Sequence, residues 1–517
     1  MTAKPPTPVR RFGSIVGTVL TYVAIWLGLV LLIAGVGIRW FWGRITVRDM
    51  MISLQNVDLP AGYTREWQGF YGIVVAPLVI VLILAACHAG HALRVRTRRL
   101  GAWDQRPRRQ RRRTRALSLG LALILVVTGA SVFSSSVGLA DFVRASRSTM
   151  DIGDYYAAPE VTGSENQRNI VNIYLESGEQ TLSDTNLFEK DPYAPLEEQT
   201  SDWQSIEDYQ QYQGGGWTMA GLVSSQCGIP LKGTIAPWYG GGNTAPPDSI
   251  RTYLQGTTCL GDVFKQQGYK NVFMGGARAE FASKDTFLQD HGYDEVKDLD
   301  LWKNSGESEK DFRPDWGLSD QRLLDHAKDE IDRLHAESEK TGQPFNLSML
   351  TLDTHEPATA YDYCPVDTES RLISVYQCSM EQVAGYVDYM KDKGYLDDTA
   401  VVIQGDHLKH MTSSDSFHEQ LDRNDHRSIV NRVWVPGQEN KRRLRPGIDQ
   451  LSMYPTLLEA AGLDIRDHSA GLGVSAFTDA IPGGSAQALG PRGYRELVAT
   501  DSKDFYTRAW DGEEVHG

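Results

Sequence analysis

The run AVVIQGDH, residues 400–407, decides the fold. Ala400 to Ile403 form a short, β-branched apolar run of the kind that makes a strand buried on both faces. Gly405 stops it, and a carboxylate and an imidazole follow at once as Asp406 and His407. Three other runs follow the same pattern: NIVNIYLES (169–177), NVFMGG (271–276) and FNLSMLTLDTH (345–355). Between them lie longer stretches with a helical period, including 319–339 and 371–393. Strands alternating with helices predict an α/β domain, a mostly parallel central sheet with helices on both faces. Ligands bind such sheets beyond the carboxyl ends of the strands. Glu176, Gly275 to Arg278, Asp353 to His355 and Asp406–His407 all fall at such ends.

Outward from that domain the composition changes sharply. Residues 1–115 hold 18 Lys and Arg against 4 Asp and Glu, a net of +14, whereas the remainder carries −28. Three uncharged apolar stretches, 12–38, 70–93 and 116–140, each reach the roughly 20 residues needed to cross a bilayer. The first is too long for a signal-peptide core and lacks a small-residue cleavage site. Between the second and third, residues 94–115 hold eleven arginines against the single Asp104, and Arg10 and Arg11 precede the first. The positive-inside rule places both basic segments in the cytoplasm and everything after about Asp141 outside. Trp40, Trp42 and Trp67 are then expected as interface anchors. An arginine run could also bind nucleic acid, but its place between two spans marks it as a topology signal, and no nucleic-acid partner is expected. The expected organisation is a membrane domain over 1–140, a linker over 141–168 and an extracytoplasmic domain over 169–517, with a peripheral tail after Pro482.

Cysteine usage agrees with an oxidising compartment. Cys87 lies within the second span, and Cys227, Cys259, Cys364 and Cys378 lie in the outer domain. Three pairings are open, of which the sequence-local one, Cys227 with Cys259 and Cys364 with Cys378, is preferred; a zinc site lacks its usual C-x-x-C spacing.

The stretch GGGWTMAGLVSSQCGIP, residues 214–230, supplies the third chemical element. Three glycines ahead of Thr218 suggest backbone that must approach a ligand closely. A threonine hydroxyl is a weak nucleophile unless a base or metal activates it. Coordination to the same cation as Glu176, Asp406 and His407 would do so, and mixed oxygen and nitrogen donors suit a divalent metal. The alternative is that Thr218 is only an N-cap for the helix MAGLVSSQ. Ser224 and Ser225 lie about two turns into that helix and are weaker candidates.

Six ordered motifs (NIYLESGEQT, GGGWTMAGLVSSQCGIPL, FMGGARAEFASKDTFLQDHGYDEV, WGLSD, LTLDTHEP and VVIQGDHL) together resemble the phosphoglycerol transferases related to lipoteichoic acid synthase. These belong to the sulfatase-like branch of the alkaline phosphatase superfamily, and the SQCGIPL and HGYDEV segments look closest to the osmoregulated-glucan transferase. The resemblance implies one Mn²⁺ or Mg²⁺, less readily Zn²⁺, on Glu176, Thr218, Asp406 and His407. It implies that Thr218 attacks the phosphorus of a phosphatidylglycerol-like lipid, forming a phospho-threonine intermediate before transfer to a cell-envelope glycan. The implied location is a bacterial cytoplasmic membrane, crossed several times, with the active domain outside. His355, Arg278, Lys284 and Trp316 are the expected substrate contacts, although Trp316 also reads as a helix-start aromatic. Lipoteichoic acid synthase has Trp and Arg where this chain has Ala282 and Lys284. A true sulfatase would need a C/S-x-P-x-R nucleophile motif, which is absent. A phosphoethanolamine transferase and an inactive envelope scaffold are the remaining alternatives.

Overall fold

The computed structural model describes residues 8–42, 71–98, 108–232, 252–410, 416–422, 424, 426–438 and 443–515, which divide into two compact units. The first holds three long helices: α1 (Pro8–Trp42), α2 (Ala76–Arg98) and α3 (Arg108–Ser136). Three segments are long and apolar enough to span a membrane: Val16–Arg39 in α1, Tyr71–Gly90, which begins in the π-helical turn Tyr71–Val75 and runs into α2, and Ala116–Ser136 in α3. The third ends at Ser136 rather than Ala140 because Gly138, with φ of 59°, turns the backbone out of the helix. α1 and α3 approach closely where small residues meet: a Cβ on Gly129 would sit 2.4 Å from the carbonyl oxygen of Gly28. Small residues of this kind let helix backbones pack without a large apolar interface. The expected orientation rests on Arg10, Arg11, the arginines of 94–115 and Trp40, Trp42 and Trp67, whose side chains lie outside the described residues.

The second unit is built on a six-stranded sheet. Its strands are β1 (Asn169–Leu175), β2 (Lys270–Gly275), β3 (Glu295–Lys297), β4 (Phe345–Leu350), β5 (Thr399–Gly405) and β6 (Asn431–Trp434). They lie in the order β3-β2-β4-β1-β5-β6, all parallel except β6, which runs antiparallel to β5. Every residue of β1, β4 and β5 is buried, including Asn172, Asn346, Ser348 and Gln404 among their mostly apolar residues. Two long helices cover one face: α5 (Asp320–Thr341), capped by Ser319, and α6 (Arg371–Asp392). Ala327, Ile331, Tyr376 and Val383 pack there against Val171, Ile173 and Leu347. The opposite face packs on Phe264, Leu457 and Leu458 through Ile170 and Val402. Both sequence-local disulfides are present, Cys227–Cys259 and Cys364–Cys378.

Two expectations about the flanks give way. The stretch expected as a linker is folded: Ile152 is fully buried, and Val161–Gly163 pairs with Asp464–Ile465. The tail after Pro482 is also packed. It forms α7 (Gly490–Ala499) and α8 (Lys503–Asp511), which bury Leu497, Val498, Phe505, Tyr506 and Ala509 in one apolar cluster. Its Gly and Ser content concealed apolar residues at helical spacing, which bury as one face.

Candidate active site

Two strand ends and one helix start converge on the carboxyl edge of the sheet. Glu176 follows β1, Asp406 and His407 follow β5, and Thr218 opens α4 (Thr218–Cys227). Thr218 is the first helical residue and not its cap: Trp217 holds that position in extended backbone, without a capping bond. The threonine hydroxyl instead donates to Glu176 Oε2 across 3.4 Å. The opening N–H groups of a helix have no partner within it, and together with the helix dipole they form an anion-binding end.

The close fit of α4 on the sheet edge depends on glycine. A Cβ on Gly221 would meet the carbonyl oxygen of Asp406 at 2.1 Å, so only glycine lets this helix lie against the strand end. In the preceding loop, Gly214 adopts a φ of 106°, and a Cβ on Gly215 would strike Gln450 Oε1 at 2.3 Å. Gln450 is buried and donates from one amide nitrogen to Asp406 O at 2.6 Å and to Gly215 O at 3.3 Å. The glycines therefore bring the loop ahead of Thr218 onto the Asp406–His407 loop.

The cluster itself is fully buried. His407 Nε2 lies 3.6 Å from Glu176 Oε1 and 3.5 Å from Asp406 Oδ2. His407 Nδ1 donates to Leu408 O at 2.8 Å, so Nε2 is the ring nitrogen that faces the carboxylates. Asp406 Oδ1 accepts from the backbone of Ser177 and His407, both at 2.8 Å, while its Oδ2 is buried without a partner. Burial, then the neighbouring Glu176, pushes the Asp406 carboxyl well above the ordinary range. Burial also pushes Glu176 up, but His407 and His355 outweigh it and hold the group below its ordinary value. Glu176, Asp406 and His407 each offer a ligand atom within 4.8 Å of the others. The other such group among the described residues, Cys227, Cys259 and His291, is taken up by the disulfide.

Lys284 is buried and within electrostatic reach of the same cluster: burial lowers its ammonium, and Glu176, Asp298 and Asp406 oppose that shift. Two consecutive residues in left-handed backbone, Ala282 (φ 58°) and Ser283 (φ 54°), aim it inward. His355 is half-buried with Nδ1 donating to Glu356 O at 2.7 Å, and Trp316 leans on its ring at 4.6 Å between centroids. Phe281, 53% exposed, meets Trp316 edge-on. Arg278 is not brought into the cluster; it is exposed and pairs with Asp300 at 3.0 Å and Glu280 at 3.7 Å.

Several supporting residues escaped the sequence reading. Arg313 is buried and donates to four carbonyls of the His355 loop, those of Leu352, Asp353, His355 and Pro357. Thr351 accepts from Glu176 N at 3.0 Å, and Thr354 donates to Glu176 O at 2.6 Å. The threonines of LTLDTHEP sat beside a noted histidine and could have been found; Arg313 and Gln450 had no local signal.

A sulfatase family model matches residues 240–463. The chain is 32% identical over 337 residues to Phosphoglycerol transferase I of Escherichia coli, a match covering 63% of this chain and 41% of that protein. It thus spans well under half the length of the relatives it matches. Among solved structures it is similar to a protein of the alkaline phosphatase superfamily from Vibrio parahaemolyticus (21% identity, TM-score 0.49, 67% of this chain and 78% of that one). It is also similar to the lipoteichoic acid synthase LtaP from Listeria monocytogenes (17% identity, TM-score 0.49, 63% and 80%).

Proposed function

We propose that this chain is a membrane-anchored transferase that moves glycerophosphate from a phosphatidylglycerol-like lipid to a hydroxyl of an envelope glycan, through a covalent phospho-threonine. The observation that carries this reading is the meeting of Thr218 Oγ1 with Glu176, Asp406 and His407 at a helix N-terminus. A buried carboxylate oxygen without a partner and the imidazole Nε2 3.5 Å from it are atoms of the kind that suit a divalent cation. Glu176, Thr218, Asp406 and His407 would hold one Mn²⁺ or Mg²⁺, which when bound lowers the pKa of a coordinated hydroxyl and offsets phosphoryl charge.

The chain's own groups then divide the work. Thr218 Oγ1 forms the bond to phosphorus while the bond to the diacylglycerol oxygen breaks. The threonine proton leaves with that oxygen, relayed by His355 at the rim. Lys284 and the N-terminal N–H groups of α4 hold the non-bridging oxygens, which gain charge as the bond order changes. In the second half-reaction a glycan hydroxyl displaces Thr218 from phosphorus and returns its proton. Two steps through one nucleophile give ping-pong kinetics. A lipid donor gives the three apolar helices their purpose, with the active unit outside the cytoplasm where donor headgroup and envelope acceptor meet.

Purified full-length protein in phosphatidylglycerol vesicles with Mn²⁺ tests this. Diacylglycerol should be released and a glycerophosphate adduct should appear on Thr218. Thr218→Ala should abolish both, and so should chelation. An ethanolamine-phosphate adduct, formed only from the corresponding lipid, would transfer the reading to a phosphoethanolamine transferase. Undiminished activity in Thr218→Ala would sink the nucleophile assignment, and no turnover of any lipid would leave a scaffold.

A further inference from the structure

Behind the metal-ligand cluster, four charged side chains close a chain of contacts through three strand-end loops. Glu179, two residues past the β1 loop's Ser177, is completely buried. It accepts from Arg427 Nε at 2.7 Å, from Arg427 Nη2 at 2.6 Å and from the backbone N of Lys409 at 3.0 Å. Arg427 Nη2 also donates to Lys409 O at 2.6 Å, so the backbone on both sides of Lys409 is fixed. The Lys409 ammonium, 2% exposed, crosses to Glu356 Oε2 at 2.9 Å. Glu356 in turn follows His355, whose Nδ1 donates to its carbonyl, and its Oε1 accepts from Ser416 N at 3.1 Å.

Burying such an array is costly. Ion pairs taken out of water repay their desolvation only with close geometry, and apolar replacements are often as stable. Stability therefore does not account for charges at these positions. Their placement does: Lys409 lies two residues past His407, and Glu356 one past His355, on loops from different strands. The His355 loop is also held by Arg313 and by Thr354 on Glu176 O, and the His407 loop by Glu179, Arg427 and Gln450, but the Glu356–Lys409 pair joins the two loops directly.

We infer that Glu356 and Lys409 are positioning residues whose ion pair sets the spacing between His355 and His407, and so between the proton relay and the metal-ligand cluster. The inference rests on the function proposed for that cluster. Misplacement of reacting groups by about 1 Å costs on the order of 10²-fold in rate, so loss of the pair should appear in kcat.

The test compares Lys409→Met, Lys409→Arg, Glu356→Gln and the double variant Glu356→Gln/Lys409→Met in the full-length protein, with diacylglycerol release as the assay. The single variants Lys409→Met and Glu356→Gln should lose roughly 10- to 100-fold in kcat, with KM and Mn²⁺ affinity by calorimetry within a few-fold of the parent. The double variant should be no slower than the worse single, and Lys409→Arg should recover most of kcat. Multiplying losses, or a kcat loss matched by an equal loss of Mn²⁺ affinity, would overturn the inference, as would unchanged kcat. If Lys409→Met does not fold, Glu356→Gln, which keeps its size and a hydrogen-bonding head, carries the kcat and metal comparison. Thr218→Ala run alongside separates the two claims: an active Thr218→Ala enzyme fails the nucleophile reading whatever the pair does.

Discussion

Lys284 is a buried cation that no carboxylate among the described residues pairs with. Burial alone would favour its neutral form, and the carboxylates of Glu176, Asp298, Asp406 and Asp285 oppose that without pairing with it. Left-handed backbone at non-glycine residues costs of order 1–3 kcal/mol each, and Ala282 and Ser283 both adopt it to deliver this side chain. A buried cation within electrostatic reach of Glu176 and Asp406, with no carboxylate paired to it, is suited to an anion that arrives with substrate. A hydrogen bond to a charged group contributes about 1.5–3 kcal/mol, and about 1.4 kcal/mol is tenfold. Lys284→Met should accordingly lower kcat/KM for the lipid by roughly 10- to 100-fold. Lys284→Arg, which keeps the charge, should stay nearer the parent. Initial rates of diacylglycerol release against lipid concentration measure both, and a fully active Lys284→Met would remove Lys284 from the site. Arg278, the other cation expected there, is already committed to Asp300 and Glu280 at the surface, so its removal should cost little.

At the scale of elements, the strands were readable because a doubly buried strand needs a mostly apolar run, which is a local property. β1, β4 and β5 begin within a residue of where their runs begin, and their last residues point to Glu176, Asp353 and Asp406. The supports of the site were not readable, because they are contacts between distant segments: Gln450 reaches Asp406 and Gly215, and Arg313 reaches the His355 loop. The tail helices were misread because their apolar residues recur every three or four positions among Gly, Ser and charges. α4 shows where local preference and packing conflict. Glycine within a helix is worse than alanine by about 1 kcal/mol, so propensity alone predicts that Gly221→Ala stabilises. The added Cβ would instead lie 2.1 Å from Asp406 O and 2.9 Å from its carbonyl carbon, neither of which is a flexible side-chain end. Packing should win: overpacking of this kind costs about 1–3 kcal/mol. The helix must lift from the strand end, carrying Thr218 away from Glu176. The expected outcome is a lower melting temperature together with a loss of about 10²-fold in kcat. A variant that melts higher and turns over normally would show that α4 is not seated by this contact.

At the scale of the catalytic unit, the chain's last helices are wired to its centre. Tyr494 on α7 donates to Asp449, reaching Oδ1 at 3.1 Å and Oδ2 at 2.9 Å. Asp449 also accepts from Leu451 N and directly precedes Gln450, which holds the backbone of Asp406. Tail, Asp449, Gln450 and Asp406 therefore form one connected path, and a change in the tail's seat has a route to the cluster. Asp449 also gives that path a dependence on pH. Burial raises its carboxyl from 3.8 to about 6, while Tyr494 and Leu451 only partly oppose the shift. A carboxyl raised on folding binds its proton more tightly in the folded state, so stability is greatest below the unfolded value and falls as pH rises through the folded one. The window runs from about pH 4 to about pH 6, and a shift of roughly two units bounds the effect at about 3 kcal/mol. Asp449→Asn keeps an oxygen for Leu451 and a polar partner for Tyr494 but cannot ionise. The variant should melt above the parent at pH 7.5, and the difference should shrink toward pH 4.5, with thermal unfolding of the solubilised full chain as the measure. Other buried carboxyls titrate equally in both proteins and cancel in that difference. If the two proteins differ by the same amount at both pH values, the ionised Asp449 is not what weakens the seat of the tail.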